Sequence, residues 1–300
     1  MKVIYEPKGA AREYAPLACN MYLGCTHGCK YCYAPATLRK TAEEFHSGPA
    51  PREDFLKNFK DDCAKLAERP DDEGRRVLLS FVGDPYQPCE EKLLLTRQTI
   101  AIATSFGIKL DILTKGTYKL VSRDFDIMKE NGTRLGVSLV FRDDAIRKQF
   151  EPNASTVADR IAILKGAHDY GIKTWISIEP VIYDGQALDV ISLLNSPDDP
   201  CVDFWKVGKL NHVKEEVPVQ GKERWMWFVS FAAKMIPEGK RLFKKSLIEA
   251  AKKEMATSDW KPFTKCPELE GGKAGKKISD GKKDQVKYSE VLGKWEFIDD

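Results

Sequence analysis

Three cysteines, Cys25, Cys29 and Cys32, follow a C-x3-C-x2-C spacing inside ACNMYLGCTHGCKYCYAP (residues 18–35). Three thiols within eight residues cannot all pair off as disulfides, and they are ill suited to forming a core. Gly24 and Gly28 leave the loop free to wrap around a small centre. The apolar run Cys19–Leu23 reads as a short buried strand leading into it, and Tyr31 and Tyr33 flank the last cysteine. The spacing leaves three readings open. A structural zinc site takes four ligands, with His27 as the candidate fourth. A redox dithiol uses C-x-x-C alone and leaves Cys25 without a role. An iron–sulfur cluster held by three thiolates keeps one iron open, as a catalytic metal site does.

The remainder of the chain limits the class. Of 300 residues, 42% are apolar and 31% charged, enough for one large α/β unit or two small ones with a sizeable core. A formal net charge of +3 neither demands nor excludes a nucleic-acid partner. The start, MKVIYEPKGAAREY, has no apolar signal-peptide core, and no run approaches the ~18 apolar residues of a membrane span. Eight cysteines without a signal peptide argue for a reducing compartment, hence a cytoplasmic protein.

Past the cysteine loop a strand–helix rhythm sets in. A helix is expected over 51–68, with Cys63 on its apolar stripe. Strands are expected over 76–82, 109–114, 134–141, 173–178 and 202–207. Helices are expected over 92–106, 121–130, Ser155 or Thr156 to Tyr170 with Ser155 as cap, 185–194 and 222–235. With the cluster strand this makes six strand–helix units, which imply a parallel sheet but fall short of a closed eight-stranded barrel. The expected fold is therefore α/β: a partial, open (β/α)6 TIM-type barrel with a C-terminal α-helical and irregular extension. The barrel would occupy residues 1–236, with an N-terminal arm over 1–16 and the cluster loop at 24–33, and a basic extension 237–300. Ligands of such sheets bind at the C-terminal strand ends, and the cysteine loop follows the first strand at that end.

C-x3-C-x2-C followed by aromatic residues resembles the radical S-adenosylmethionine (SAM) superfamily. More narrowly, GCTHGCKYCYAP together with Gly83–Pro88 (GDPYQP) resembles its spore-photoproduct-lyase-like branch. The resemblance covers roughly Tyr14 to Asn211 and implies the partial-barrel fold. It implies a [4Fe-4S] cluster on Cys25, Cys29 and Cys32, with SAM chelating the fourth iron. An external donor of the flavodoxin or ferredoxin type would supply the electron that cleaves SAM to methionine and a 5′-deoxyadenosyl radical. That radical would abstract hydrogen from a substrate, on the branch resemblance a thymine-type base in DNA. The outcome would be C–C bond cleavage or rearrangement, the work of a lyase or isomerase more than of a methyltransferase. A peptide or small metabolite is the alternative substrate. A non-catalytic zinc or iron–sulfur protein that binds nucleic acid is the alternative of another class.

The remaining strand ends supply the other candidates. Gly83 and Asp84 match the segment that contacts the SAM amino group; without the resemblance they read as a Pro-rich turn with a capping acid. Lys115, after the third strand, suits a carboxylate or phosphate, or is a solvated lysine. Ser138 matches a family position near the SAM carboxylate or ribose, and alone reads as a core hydroxyl. Glu179 is a buried or half-buried carboxylate that wants a partner: substrate, ribose, or a base such as Lys115 or Lys209. Gly208 would admit the adenine as in the family, or is a turn. Arg142 and Arg147 in RDDAIRKQFEP face a SAM carboxylate or a substrate phosphate, or form surface pairs such as Asp143–Arg147. Cys89 is a candidate hydrogen donor and Tyr86 a relay beside it; a small buried residue opening a helix is the plainer reading of Cys89. Downstream, 238–255 reads as one basic helix. Residues 271–287 are rich in Gly and Lys, composition shared by a phosphate-tracking tail and a solvated loop, and 288–297 reads as a returning packed segment.

Overall fold

The computed structural model describes residues 2–68, 76–197, 200–211 and 225–257, and the backbone of 285–289 and 294–298. Two strands open the chain, β1 (Ile4–Tyr5) and β2 (Leu17–Cys19), separated by a 3-10 turn at Gly9–Glu13. The cluster strand was expected over Cys19–Leu23; it lies earlier and stops at Cys19. The reason is Asn20, whose Oδ1 accepts the Phe81 and Val82 N–H groups, each at 2.9 Å, and turns the chain off the sheet. Two short helices follow the cysteine loop, α1 (Ala34–Thr37) and α2 (Ala42–His46), the second closed by a Thr41–Glu44 capping box. Next is α3 (Phe55–Ala67), which buries Phe55, Phe59, Cys63 and Leu66 on one stripe. It starts after Pro51, because Pro51 bridges to Tyr22 instead.

After β3 (Arg76–Leu79), the helix expected over 92–106 divides into α4 (Glu90–Leu93) and α5 (Leu95–Ser105). Leu94 breaks it with φ 51°, and the buried Glu90 carboxylate accepts the Thr96 N–H at the head of α5. β4 (Lys109–Thr114) is followed by α6 (Tyr118–Ser122) and α7 (Phe125–Asn131), where one helix was expected. Gly132, φ 71°, ends α7 in the left-handed region that its Asn-Gly sequence favours. β5 (Arg134–Ser138) ends before Phe141, and the charged stretch behind it is helix α8 (Asp144–Phe150), capped by Asp143. Thr156, rather than Ser155, caps α9 (Val157–Asp169), accepting the Asp159 N–H at 3.0 Å. β6 (Lys173–Val181), α10 (Asp184–Leu194), β7 (Phe204–Lys209) and α11 (Trp225–Met235) follow.

The single basic helix expected over 238–255 divides into β8 (Arg241–Phe243) and α12 (Lys245–Thr257). β8 pairs in parallel with β7, from Trp205↔Arg241 to Val207↔Phe243, and covers an edge whose backbone would otherwise lack partners. Near the end, β9 (Gln285–Ser289) and β10 (Lys294–Ile298) pair antiparallel. The expectations for 260–284 lie outside the described residues, as does any side-chain packing of 288–297.

Among the described residues the main sheet runs in chain order from β1 to β8 and stays open. β1 is antiparallel to β2, and all later pairs are parallel. The partial open barrel therefore holds, with β1, inside the segment expected as an arm, and β8 added to the six expected strands. Its outer face packs Leu79, Ile112, Val137, Ile176 and Val207 against the helices. The inner face holds a smaller cluster, Ala18, Leu78 and Trp175, which Ala15 and Tyr14 fill from the N-terminal segment. Trp175 lies flat over Gly136, and a Cβ there would overlap the indole. Gly136→Ala is therefore expected to destabilise the chain by roughly 1–3 kcal/mol, read as a lower urea midpoint at unchanged slope.

Candidate metal centre at the barrel mouth

The cysteine loop leaves β2 and is held from three sides. From α2, the Phe45 carbonyl accepts the Cys25 N–H at 3.1 Å, and His46 Nδ1 lies 2.7 Å from the Cys25 carbonyl. Gly24 is forced by this approach, because a Cβ would sit 2.5 Å from the Gly48 oxygen. From the β3 end, Gln87 donates to the Gly24 carbonyl and accepts the Thr26 N–H, both at 3.2 Å. From the end of α8, the Phe150 carbonyl accepts the Lys30 N–H at 2.9 Å, and just beyond it the Asn153 side chain donates to the Thr26 carbonyl at 3.1 Å. The Tyr31 hydroxyl donates to Glu151, which is fully buried and ion-paired with Arg160 at 2.5 Å.

All three cysteines are free of disulfides; Cys25 and Cys29 are buried and Cys32 is half-buried. Burial pushes the Cys25 thiol up to about 12, with the Asp84 charge adding to it. Burial pushes Cys29 up as well, against the pull of Lys115. Burial alone would push the Lys115 ammonium down, but the charges of Cys29 and Glu151 outweigh it and hold its pKa above the usual lysine value. The Lys115 ammonium also lies 5.6 Å from the Tyr31 ring centre. Three thiols outside any disulfide on one clamped loop, with a buried cation beside Cys29, suit ligation as thiolates at separate irons of a cluster. Zinc fits less well. Among the described residues no three His, Cys, Asp or Glu side chains are placed to share a single ion. His27, the candidate fourth ligand, is buried with Nδ1 3.5 Å from Asp84.

The other candidates divide. The Asp84 carboxylate is committed to the protein: it accepts the Thr114 hydroxyl and the Lys115 N–H at 2.6 Å and the Tyr86 N–H at 2.8 Å. It braces the β3 and β4 mouths against each other. Gly83, φ 78°, lies where a Cβ would meet the Gly24 oxygen at 3.0 Å, so it keeps the two loops close. Ser138 closes β5 opposite Ser177, and its carbonyl accepts Arg160 at 2.8 Å. Glu179 was expected against Lys115 or Lys209; its cation is Lys244, at 3.4 Å, and Tyr14 donates to it at 2.5 Å. Burial raises its pKa above the usual carboxylate value, against Lys244. At Gly208 a Cβ would lie 2.7 Å from the Glu179 carboxyl carbon, so the glycine makes room for Glu179.

Tyr86 and Cys89 do not form the expected donor–relay pair. The Tyr86 hydroxyl is buried and donates to Asp124 at 3.0 Å, beside Arg97 and Arg123 in the helical layer. Cys89 opens α4 next to Tyr22, whose hydroxyl is bonded to Glu90. Arg147 is buried and spent on Asp144 and on the Glu151 and Ala154 carbonyls, while Arg142 is exposed. Sequence reasoning passed over Gln87, Tyr14, Lys206 and Lys244. Gln87 stood inside the quoted GDPYQP, and Lys244 sat in a lysine run that read as a helix surface.

Comparison with known proteins agrees with this geometry. Residues 19–194 match the Radical SAM superfamily, so the chain belongs to that superfamily of enzymes. Its members use a [4Fe-4S] cluster and SAM. An uncharacterized protein of Methanocaldococcus jannaschii is 30% identical over 166 residues, which is 55% of this chain and 60% of that protein. One of Mycobacterium tuberculosis is 29% identical over 171 residues, 54% of this chain and 48% of that protein. The chain thus spans about half to three-fifths of these relatives. Among solved structures, spore photoproduct lyase complexed with dinucleoside spore photoproduct superposes with a TM-score of 0.55 at 18% identity, over 78% of this chain and 64% of that one. Streptococcus suis SuiB bound to its precursor peptide SuiA gives 0.56 at 12%, over 79% and 50%. Both likenesses establish the fold. No helix among the described residues is long and apolar enough to cross a membrane.

Two outcomes test the clamp. Gln87→Ala leaves the Gly24 carbonyl and the Thr26 N–H without their partner, and should cost about 1–3 kcal/mol and lower the iron and sulfide retained after desalting. Arg160→Met strands the buried Glu151 and should cost roughly 3–5 kcal/mol in chemical denaturation.

Proposed function

We propose that the chain is a radical SAM enzyme that holds its cluster on Cys25, Cys29 and Cys32 and acts on a thymine-type base in DNA, cleaving or rearranging a C–C bond. The observation that carries the cofactor part is the cysteine loop itself, clamped at the mouth of a parallel sheet where such folds bind ligands. When bound, the cluster supplies the electron that splits SAM, and the 5′-deoxyadenosyl group supplies hydrogen abstraction. The chain's own residues do the rest. Lys115 places a buried positive charge beside Cys29, which favours the thiolate. Asp84 holds the β3 and β4 ends in register, so that Gly83 and Lys115 keep fixed positions at the mouth. Ser138 and Ser177 stand side by side on β5 and β6, and Tyr14 and Lys244 hold the Glu179 carboxylate two residues further along β6, a polar edge suited to a ribose or base once Tyr14 yields. An external electron donor of flavodoxin or ferredoxin type completes the proposal.

The nucleobase substrate rests on the branch motifs GCTHGCKYCYAP and GDPYQP and on the fold shared with spore photoproduct lyase. SuiB, with its peptide, shares the fold as well, so a peptide is the second reading.

Anaerobic reconstitution with iron and sulfide, then dithionite and SAM, should yield 5′-deoxyadenosine, measured by chromatography. Cys29→Ala should abolish it while leaving the fold intact by circular dichroism. A native chain that carries a cluster but releases no 5′-deoxyadenosine would sink the enzymatic reading. Product formation on ultraviolet-irradiated thymidine dinucleotides, against none on peptides, supports the base; the reverse supports the second reading.

A further inference from the structure

Inside the barrel, behind the strand ends, two lysines converge on one tyrosine. Lys206 lies at the middle of β7 and Lys244 just past β8; they are 8% and 3% exposed. Their ammonium groups stand 4.8 and 4.7 Å from the centre of the Tyr14 ring, and Lys206 also lies 4.5 Å from Trp175. Each gives a hydrogen bond to the backbone of the same N-terminal segment: Lys206 to the Tyr14 carbonyl at 2.7 Å, and Lys244 to the Ala10 carbonyl at 2.9 Å. Glu179 is ion-paired with Lys244 and accepts the Tyr14 hydroxyl. Glu13 spends its carboxylate on the Lys245 N–H at the rim. Deeper on the same face, Asp111 is shared between Arg76 and Arg134.

Positive charge thus exceeds negative inside the chamber, with two buried lysines set against Glu179, while the half-buried Arg76 and exposed Arg134 pair with Asp111 towards solvent. Buried charge is costly unless paired, and neutral carbonyls and rings only soften that cost for Lys206. Burial accordingly lowers the Lys206 pKa to about 8. An anion reaching these ammoniums would supply the missing countercharge. The segment that now occupies them crosses the open side of the barrel, from β2 to β8, where the sheet forms no ladder. Its turn at Gly9–Glu13 has no side-chain cap and no buried residue, and polar bonds to Lys244 and Lys245 hold it to the β8 side.

We propose that Lys206 and Lys244 form an anion subsite that takes a phosphodiester of the substrate, the Ala10 and Tyr14 carbonyls holding the ammoniums until that group arrives. The choice of phosphodiester rests on the nucleobase reading above; the subsite itself does not. Lysine ammoniums are compact point charges that suit a tetrahedral phosphate from two sides.

Calorimetric titration of the full chain tests both levels, with inorganic pyrophosphate, thymidylyl-thymidine and its uncharged methylphosphonate analogue as probes. The native chain should bind pyrophosphate, and should bind the charged dinucleotide at least tenfold more tightly than the neutral one. Lys206→Met and Lys244→Met should each abolish pyrophosphate binding and the preference for charge, while Lys206→Arg, which keeps the charge, should retain both. Pyrophosphate binding by the native chain that survives both methionine variants overturns the subsite, as does its absence from the native chain. Pyrophosphate binding lost in both variants, together with no binding of either dinucleotide, keeps the subsite and removes the nucleobase reading.

Discussion

The buried ion pair of Glu151 and Arg160 is the joint on which the barrel mouth depends. Arg160 comes from α9 and also donates to the carbonyls of Ser138, at the end of β5, and Ser155. Ser155 in turn donates its N–H to the Lys115 carbonyl after β4. Glu151 carries the Tyr31 hydroxyl, and with it the cysteine loop. One pair of opposite charges therefore sets two strand ends, a helix start and the cysteine loop in a common frame. A buried ion pair contributes little net stability against an apolar substitute, but breaking it is costly, and that asymmetry favours a fixed geometry.

A second constraint is the openness of the sheet. A parallel sheet of this length that does not close leaves two edges, and each is treated differently. β1 covers the edge at β2 by antiparallel pairing, and β8 covers the edge at β7. The gap between them is crossed by side chains, Tyr14 reaching Ser177 and Glu179 and Lys244 reaching Ala10. Side-chain contacts can release and re-form without disturbing a backbone ladder. The open side is therefore the part of the barrel whose closure is most easily released, with the cysteine loop at the mouth and the lysine pair within.

Much of this was legible in the sequence because it is local. The cysteine spacing, the apolar strands and the alternation of strands with helices each depend on neighbours within a few residues, and the open parallel barrel followed. What was misplaced turned on partners far along the chain. The cluster strand ended at Cys19 because Asn20 meets Phe81 and Val82; the long helix broke at Leu94 because Glu90 meets Thr96. The tyrosine proposed as a relay, Tyr86, turned instead to Asp124. β8 was missed because three residues of strand inside a lysine-rich run carry no periodic signal, and their conformation comes from pairing with β7.

The sequence by itself determined the chemistry of the donor set: three thiols at fixed spacing, in a loop that follows a buried strand. It determined the class of fold, because hydrophobic periodicity is written in the chain. The tertiary structure alone decided what each polar strand end does. Asp84 became a brace, Gly208 the space for Glu179, and Lys244 its counter-charge, since hydrogen bonding and desolvation depend on atoms brought together from opposite ends of the chain.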